Sequence, residues 1–519
     1  MHAPLRYRVL AGILIFFSFL VVATKITDPD FYWHLRDGET ILATHAVPRV
    51  DTYSFTMANM PWVDHEWLVE AGIAWIWNLG LAELLAVIFA AIAFIPFAVW
   101  LSRYRSWPSL WAIAAGAVLF MSFTAVRPQV LSYFFFFIVF ELLSRYYDKT
   151  NDPAGRKKIY LAVLPLVFFV WANIHAEFFS GLVLFALFLF VDTAIAWWHK
   201  RKTSGSGILF ACTMLAASVI TPFLNPYGAG LYGEIFRVMF SGDTMRYIQE
   251  WQSPFSTQAT FSPQTIAIAI MFSIFLIIAG AYYKRLTPTR LAAAALFFLL
   301  FAKALRMGPL FVITAIPLAD EGLAYAITAF SSRRHLASRR VRMVFTSLGA
   351  AASVGMLCLV LIAPSALAAT QYPVNAVDFL NQSAAQGNKI IPLNGYAWGG
   401  YLIWDAPEIK VFIDGRMPHW IAPDGTSAMK DYINVFLAPQ NFAAQETILK
   451  KWRVNTILMQ STDVTGGNAG LVKNLMSAGW KITYSDPVAT VLQCASDTMQ
   501  ECRYITGAWS ATATSNPKK

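Results

Sequence analysis

The sequence carries about eleven apolar runs, most of them long enough to cross a bilayer. They fall at roughly 8–24, 81–101, 109–126, 129–147, 160–176, 178–198, 207–224, 263–283, 291–305, 308–329 and 343–363. In lipid every backbone N–H and C=O must be satisfied within the chain, so such runs become bundled helices. Of the 519 residues, 57% are hydrophobic and 13% charged. The expected fold class is a polytopic α-helical membrane protein. The first run follows Arg6 and Arg8 and is expected to remain as an uncleaved anchor.

The net charge of +10 raises the question of nucleic acid. The positions of the charges answer it. Basic clusters occur at Arg103 and Arg105, at 145–158, at 200–202, at Lys284, Arg285 and Arg290, and at 333–342. With the N-terminus cytoplasmic, all of them land on the cytoplasmic side, as the positive-inside rule requires. The opposite face keeps scattered cations. The charge therefore reports topology and membrane-lipid contact, and no nucleic-acid partner is expected.

That opposite face also receives the residues suited to chemistry. Thr27 to Glu70 is a dense block holding Asp28, Asp30, His34, Arg36, Asp64, His65 and Glu66 among tryptophans. A plain solvated loop would be rich in Ser, Gly, Asn and Lys instead. Clustered titratable groups beside a membrane mark a site. Four further segments reach the same face. They bring Arg127 and Gln129; His175; Arg237 and Arg246; and Lys303 and Arg306. Five independent interfacial loops with snorkelling cations are the plainer reading. Two interfacial helices are expected, one from Glu66 through Trp77 and one over 239–251.

From about Leu367 the composition becomes that of an ordinary domain. Helices are expected at VNAVDFLNQSAAQG, NFAAQETILKKW and GLVKNLMSAG. Strands are expected at KIIPL, EIKVFID, VNTILMQ, WKITYS and VATVLQC, forming a largely parallel α/β sheet. The division is thus 1–366 for the membrane domain, with its first outer loop at 25–80, and 367–519 for an extracytoplasmic α/β domain. Asp414 and Arg416 end the EIKVFID run, where an α/β strand commonly faces a ligand; a tight turn with a salt-bridged pair is the alternative. The glycines of Trp398-Gly399-Gly400-Tyr401 permit close backbone approach. Cys494 and Cys502 are placed to pair in an oxidising compartment.

Taken together, DPDFYWHL, PRVDTYSFT, HEWL and FIDGR resemble the glycosyltransferase C superfamily, nearest a group of bacterial membrane proteins with these motifs. The resemblance implies an integral enzyme of the bacterial inner membrane with a periplasmic or extracellular tail domain. It implies transfer of a sugar from a polyprenyl-phosphate donor to a glycan, lipid or protein acceptor. Asp28 and Asp30 match the family's acidic pair in the first outer loop, so one of them is the expected base, with Asp64 or Glu66 as substitute. The pair is D-x-D where the mannosyltransferases have adjacent D-E, and the tail lacks the oligosaccharyltransferase W-W-D signature.

The chemistry needs a carboxylate to take the acceptor proton and cations to hold the departing phosphate. Arg127 and Arg306 are favoured for the phosphate, with Arg237, Arg246 and Lys303 as further candidates. A one-step displacement inverts the anomeric centre, as the family does. His34, Arg36, His65, Gln129 and His175 are candidate substrate contacts, as are Asp414 and Arg416 in the tail. No cofactor is certain. A D-x-D pair also suits a divalent metal (Mg or Mn) at Asp28 and Asp30, and the sequence leaves that open. Two alternatives compete. A polysaccharide or lipid transporter predicts internal repeats and midplane charges, and none is visible. A non-catalytic envelope-glycan assembly protein predicts that the acidic pair is dispensable.

Overall fold

The computed structural model describes residues 3–24, 28–147, 157–200, 205–256, 281–333, 372–438 and 441–494. The apolar run expected at 263–283 lies mostly outside them and the run at 343–363 wholly so, as does Cys502 with its expected pairing to Cys494. The chain forms two compact units that do not follow a single cut. The first holds Met1–Asp28, Ile41–Val47 and Val63–Ala369; the second holds Pro29–Thr40, Pro48–Trp62 and Thr370–Lys519.

The first unit is helical. Five of its described helices are long and apolar enough to cross a membrane: Leu5–Ala23, Ala82–Arg103, Gln129–Tyr147, Phe178–Trp198 and Gly205–Leu224. The protein is accordingly a multi-pass membrane protein. Leu5–Ala23 packs on Ala82–Arg103, and Gly308–Arg333 packs on both Trp107–Met121 and Pro288–Lys303. The contacts are aromatic. Phe97 meets Phe19 and Phe120 edge-on at 5.3 Å each, and Trp100 meets Phe137 at 5.6 Å.

Two expectations are corrected here. The run at 160–176 is broken into Lys157–Ala162 and Leu164–Ala172. Pro165 has no N–H to continue the first helix and suits the first turn of the second. The helix expected over 239–251 is three pieces: Ala229–Met239, Gly242–Tyr247 and a 3-10 turn at Gln249–Trp251. Ser241 starts the middle piece by accepting the Thr244 N–H at 3.2 Å.

The second unit contains a four-stranded sheet: β1 (Pro392–Asn394), β2 (Thr456–Gln460), β3 (Trp480–Ser485) and β4 (Ala489–Cys494), ordered β1-β2-β4-β3. Only β1 and β2 are parallel; β4 runs antiparallel to both β2 and β3. The expected largely parallel sheet is therefore a mixed one. The reason is local. Asp486 caps a tight turn between β3 and β4 by accepting the Val488 and Ala489 N–H groups at 2.7 Å each. A connection that short can only return antiparallel. Helices Val374–Ala385, Phe442–Lys451 and Ala469–Ser477 stand where expected, and Gly399–Asp405 and Ala428–Phe436 are additional.

EIKVFID is not a strand, although it is buried. Val411 makes one isolated parallel bridge to Ser54. Side chains satisfy the backbone at Phe412 and Ile413: Asn394 takes the Phe412 N–H at 2.9 Å and donates to Ile413 O at 2.8 Å, while Thr56 donates to Phe412 O at 2.6 Å. Piece 48–62 of the first outer loop is thus stitched to this run within one unit.

Candidate functional site

In the first unit one arginine organises the carboxylates. Arg127 stands just before the Gln129–Tyr147 helix. Its Nε lies 3.1 Å from Asp28 Oδ2, and its Nη1 and Nη2 donate to the two Glu250 oxygens at 2.7 and 3.3 Å. Burial alone would push the Glu250 carboxyl up. Arg127 reverses that, with help from Arg306 and His175, and holds it down at about 2. Asp28 and Glu250 likewise raise Arg127 against the opposing effect of burial. Arg306 lies over the Trp251 ring, 4.4 Å from its centroid.

A second pair belongs to the same unit. His175 Nε2 lies 3.2 Å from Glu66 Oε1, while its Nδ1 accepts the Glu177 backbone N–H at 3.1 Å. An Nδ1 that accepts leaves the ring proton on Nε2, directed at Glu66. The His65 ring lies tilted beside His175 at 5.4 Å. His65, Glu66 and His175 offer atoms close enough together for a metal. The Nε2 proton makes the Glu66–His175 pair a hydrogen-bonded dyad as it stands, and a cation would need that lone pair instead. Among the described residues, neither Asp28 nor Asp30 joins a group of three such ligand atoms. Gln129 donates to Glu177 at 3.5 Å. The Gln129 Oε1 and the Tyr133 hydroxyl one turn later are buried with no hydrogen-bond partner among the described residues.

In the second unit Asp30 sits at the start of helix Phe31–Thr44, which the sequence did not announce. It is half-buried; its Oδ1 accepts the Trp33 indole N–H at 3.0 Å, and its carbonyl takes the His34 N–H at 3.2 Å. Arg416 is the centre of a buried triad. It donates to Asp414 Oδ1 at 2.8 Å and Oδ2 at 2.7 Å, and to Asp51 Oδ1 at 2.8 Å. Its Nη1 has no hydrogen-bond partner among the described residues. The rings of Trp62, Tyr53 and Trp420 surround the guanidinium at 4.7, 5.0 and 5.4 Å. Tyr53 in turn donates to Asp37 at 3.0 Å. The plainer expectation for Asp414 and Arg416, a salt-bridged turn, describes this geometry.

The other candidates scatter. Arg36 pairs with Glu39 at 3.2 Å, and Arg237 pairs with Glu234 one turn away on its own helix. Arg246 and Lys303 are exposed. Asp64 is buried and accepts the Glu66 N–H at 3.0 Å, ahead of helix Trp67–Asn78; His34 is buried beside Trp33. Sequence reasoning did not single out Glu250, Trp251 or Asp51. Asp51 had a signal, since it lies inside PRVDTYSFT. Glu250 had only its place in an outer loop.

No protein-family model matches the chain, and no curated protein matches it. Solved structures do. The apo oligosaccharyltransferase of Archaeoglobus fulgidus aligns with TM-score 0.54 and 12% identity over 89% of this chain and 70% of that one. The same enzyme tethered by a disulfide to an acceptor peptide containing the NVT sequon gives 0.54 and 10% over 88% and 69%. The chain shares the fold of this oligosaccharyltransferase. At 10% and 12% identity the likeness is one of fold. ArnT from Cupriavidus metallidurans, in the apo state, aligns with TM-score 0.49 and 12% identity over 93% of this chain and 96% of that one.

Proposed function

We propose that this protein is a membrane glycosyltransferase that moves a sugar from a polyprenyl-phosphate donor to an extracytoplasmic glycan, lipid or protein. The observation that carries the reading is the Asp28–Arg127–Glu250 cluster, with Arg306 and the Glu66–His175 pair, in a chain of glycosyltransferase C fold. Fold alone would not suffice, since one fold hosts many functions. The cluster supplies what the reaction needs: cations for a departing phosphate, and positioned carboxylates.

Arg306 is the phosphate ligand in this reading. Its guanidinium carbon lies over the Trp251 ring, and its N–H groups are the donors for phosphate oxygens. Arg127 is already engaged by two carboxylates and serves to position them. Asp28 is the counter-ion of Arg127, and Asp30 is assigned the proton on its place in the D-x-D pair. The acceptor O–H attacks the anomeric carbon as Asp30 takes its proton. The anomeric C–O bond breaks, and polyprenyl phosphate leaves with the electron pair. This single displacement inverts the anomeric centre. The reacting face is extracytoplasmic, with the N-terminus cytoplasmic.

The test is sugar release from polyprenyl-phosphate sugars by purified protein, comparing wild type with Asp30→Asn, each with and without chelator. Removal of a general base should cost about 10²–10⁴-fold in turnover. An Asp30→Asn protein that is folded and fully active removes Asp30 from this role. A wild type that neither binds nor turns over any lipid-linked sugar ends the transferase reading.

A further inference from the structure

We propose that Gly415 is a positioning residue: its bare backbone, held by the Asp414–Arg416–Asp51 triad, seats the Asp30 carboxylate. The inference rests on the reading of Asp30 as the base. Asp30, Gly415 and the triad all belong to the second unit, so the FIDGR segment is part of the scaffold that aims Asp30.

A glycine is required at 415 for space and not for conformation. Its φ lies outside the left-handed range, yet a Cβ there would lie 2.8 Å from Asp30 Cγ and overlap Asp30 Oδ1. A second glycine walls the same turn. A Cβ on Gly400 would lie 2.6 Å from Pro29 O and 3.2 Å from the Trp33 ring. Two bare backbones thus face Pro29, Asp30 and Trp33. The backbone side cannot yield easily. Arg416 fixes residues 414–416 by its bonds to Asp414 and Asp51 and by three flanking rings. Asp30 is fixed by the Trp33 indole and by its place at the helix start. An added methyl must therefore displace the carboxylate.

The experiment is a cycle in the full-length protein: wild type, Gly415→Ala, Asp30→Ala and the double variant. Gly467→Ala is the control, because a Cβ at Gly467 meets nothing within 4 Å. Two readouts are taken, kcat and KM for lipid-linked sugar, and Tm. Gly415→Ala should lower kcat about 10- to 100-fold, as a misplacement near 1 Å does. KM should stay within about twofold, since binding groups are untouched. Gly467→Ala should match wild type. In the Asp30→Ala background Gly415→Ala should cost nothing further, and Tm should return to that of Asp30→Ala, because the overlapping side chain is gone. Two additive falls in Tm overturn the proposal. So does wild-type kcat in Gly415→Ala while Asp30→Ala is inactive. A fully active Asp30→Ala protein faults the base assignment instead, and the Tm cycle then decides alone whether Gly415 seats Asp30.

Discussion

Arg127 and Arg416 each bridge two carboxylates, and they differ in what surrounds the bridge. The Arg416 side chain is 1% exposed and both its acids 0%; the Arg127 side chain is 19% exposed, with Asp28 at 6% and Glu250 at 34%. Arg416 is closed in by three aromatic rings, whereas Arg127 has Arg306 and His175 acting on the same carboxylate. A triad sealed from water can only hold chain together. One left partly open, beside an aromatic-stacked cation, can meet a substrate. The residue types are nearly the same, and burial separates scaffold from chemistry.

The sharpest way to break the comparison is to delete each arginine. Arg416→Met leaves Asp51 and Asp414 buried without their cation. Removing one partner of a buried ion pair costs about 3–5 kcal/mol. The expected outcome is a large fall in Tm, or no folded protein, with Arg416→Lys losing the fork geometry and recovering only part. A methionine variant as stable as wild type would show that the triad holds nothing. Arg127→Met should behave the other way. Glu250 is partly solvated although Asp28 is buried, so the stability loss should be below that of Arg416→Met. Turnover should fall about 10²-fold, the scale for misplacing groups that Arg127 positions. Equal stability losses for the two variants would erase the distinction.

What the sequence shows of this follows from the range of each interaction. The membrane helices are legible because hydropathy is local, and Arg127 and Arg306 were singled out because both adjoin span ends. In the tail, VNTILMQ, WKITYS and VATVLQC carry their strand character in their own residues. Their direction was misread as largely parallel, although the DPV connection between the last two strands is too short for a parallel crossover. EIKVFID misled because a buried apolar run looks the same whether a ladder or a set of side chains satisfies its backbone. Asn394 and Thr56 do so here, and nothing near residue 412 announces them. The pairing of Asp51 with Arg416 spans 365 positions. Nothing in the spacing of either motif points to the other. The sequence singled out both PRVDTYSFT and FIDGR; it did not say that one neutralises the other.

The smallest expected effect probes the open triad by pH. The folded Glu250 carboxyl titrates near 2, below its ordinary 4.5, because Arg127 favours the charged form over the cost of burial. A depressed carboxyl binds fewer protons folded than unfolded. Its stabilising contribution is therefore complete above about 4.5 and is lost as pH falls towards about 2. The side chain is 34% exposed, so solvent screening keeps the amount modest, under about 1 kcal/mol. Thermal unfolding of wild type and Glu250→Gln in detergent should show a small gap near neutrality that closes across this acid window. Arg416→Met supplies the contrast. Arg416 is held charged by Asp414 and Asp51 and keeps its proton across the range. A Glu250→Gln gap that stays constant down to about pH 2 would mean that Arg127 holds Asp28 alone, and the open triad would reduce to a pair.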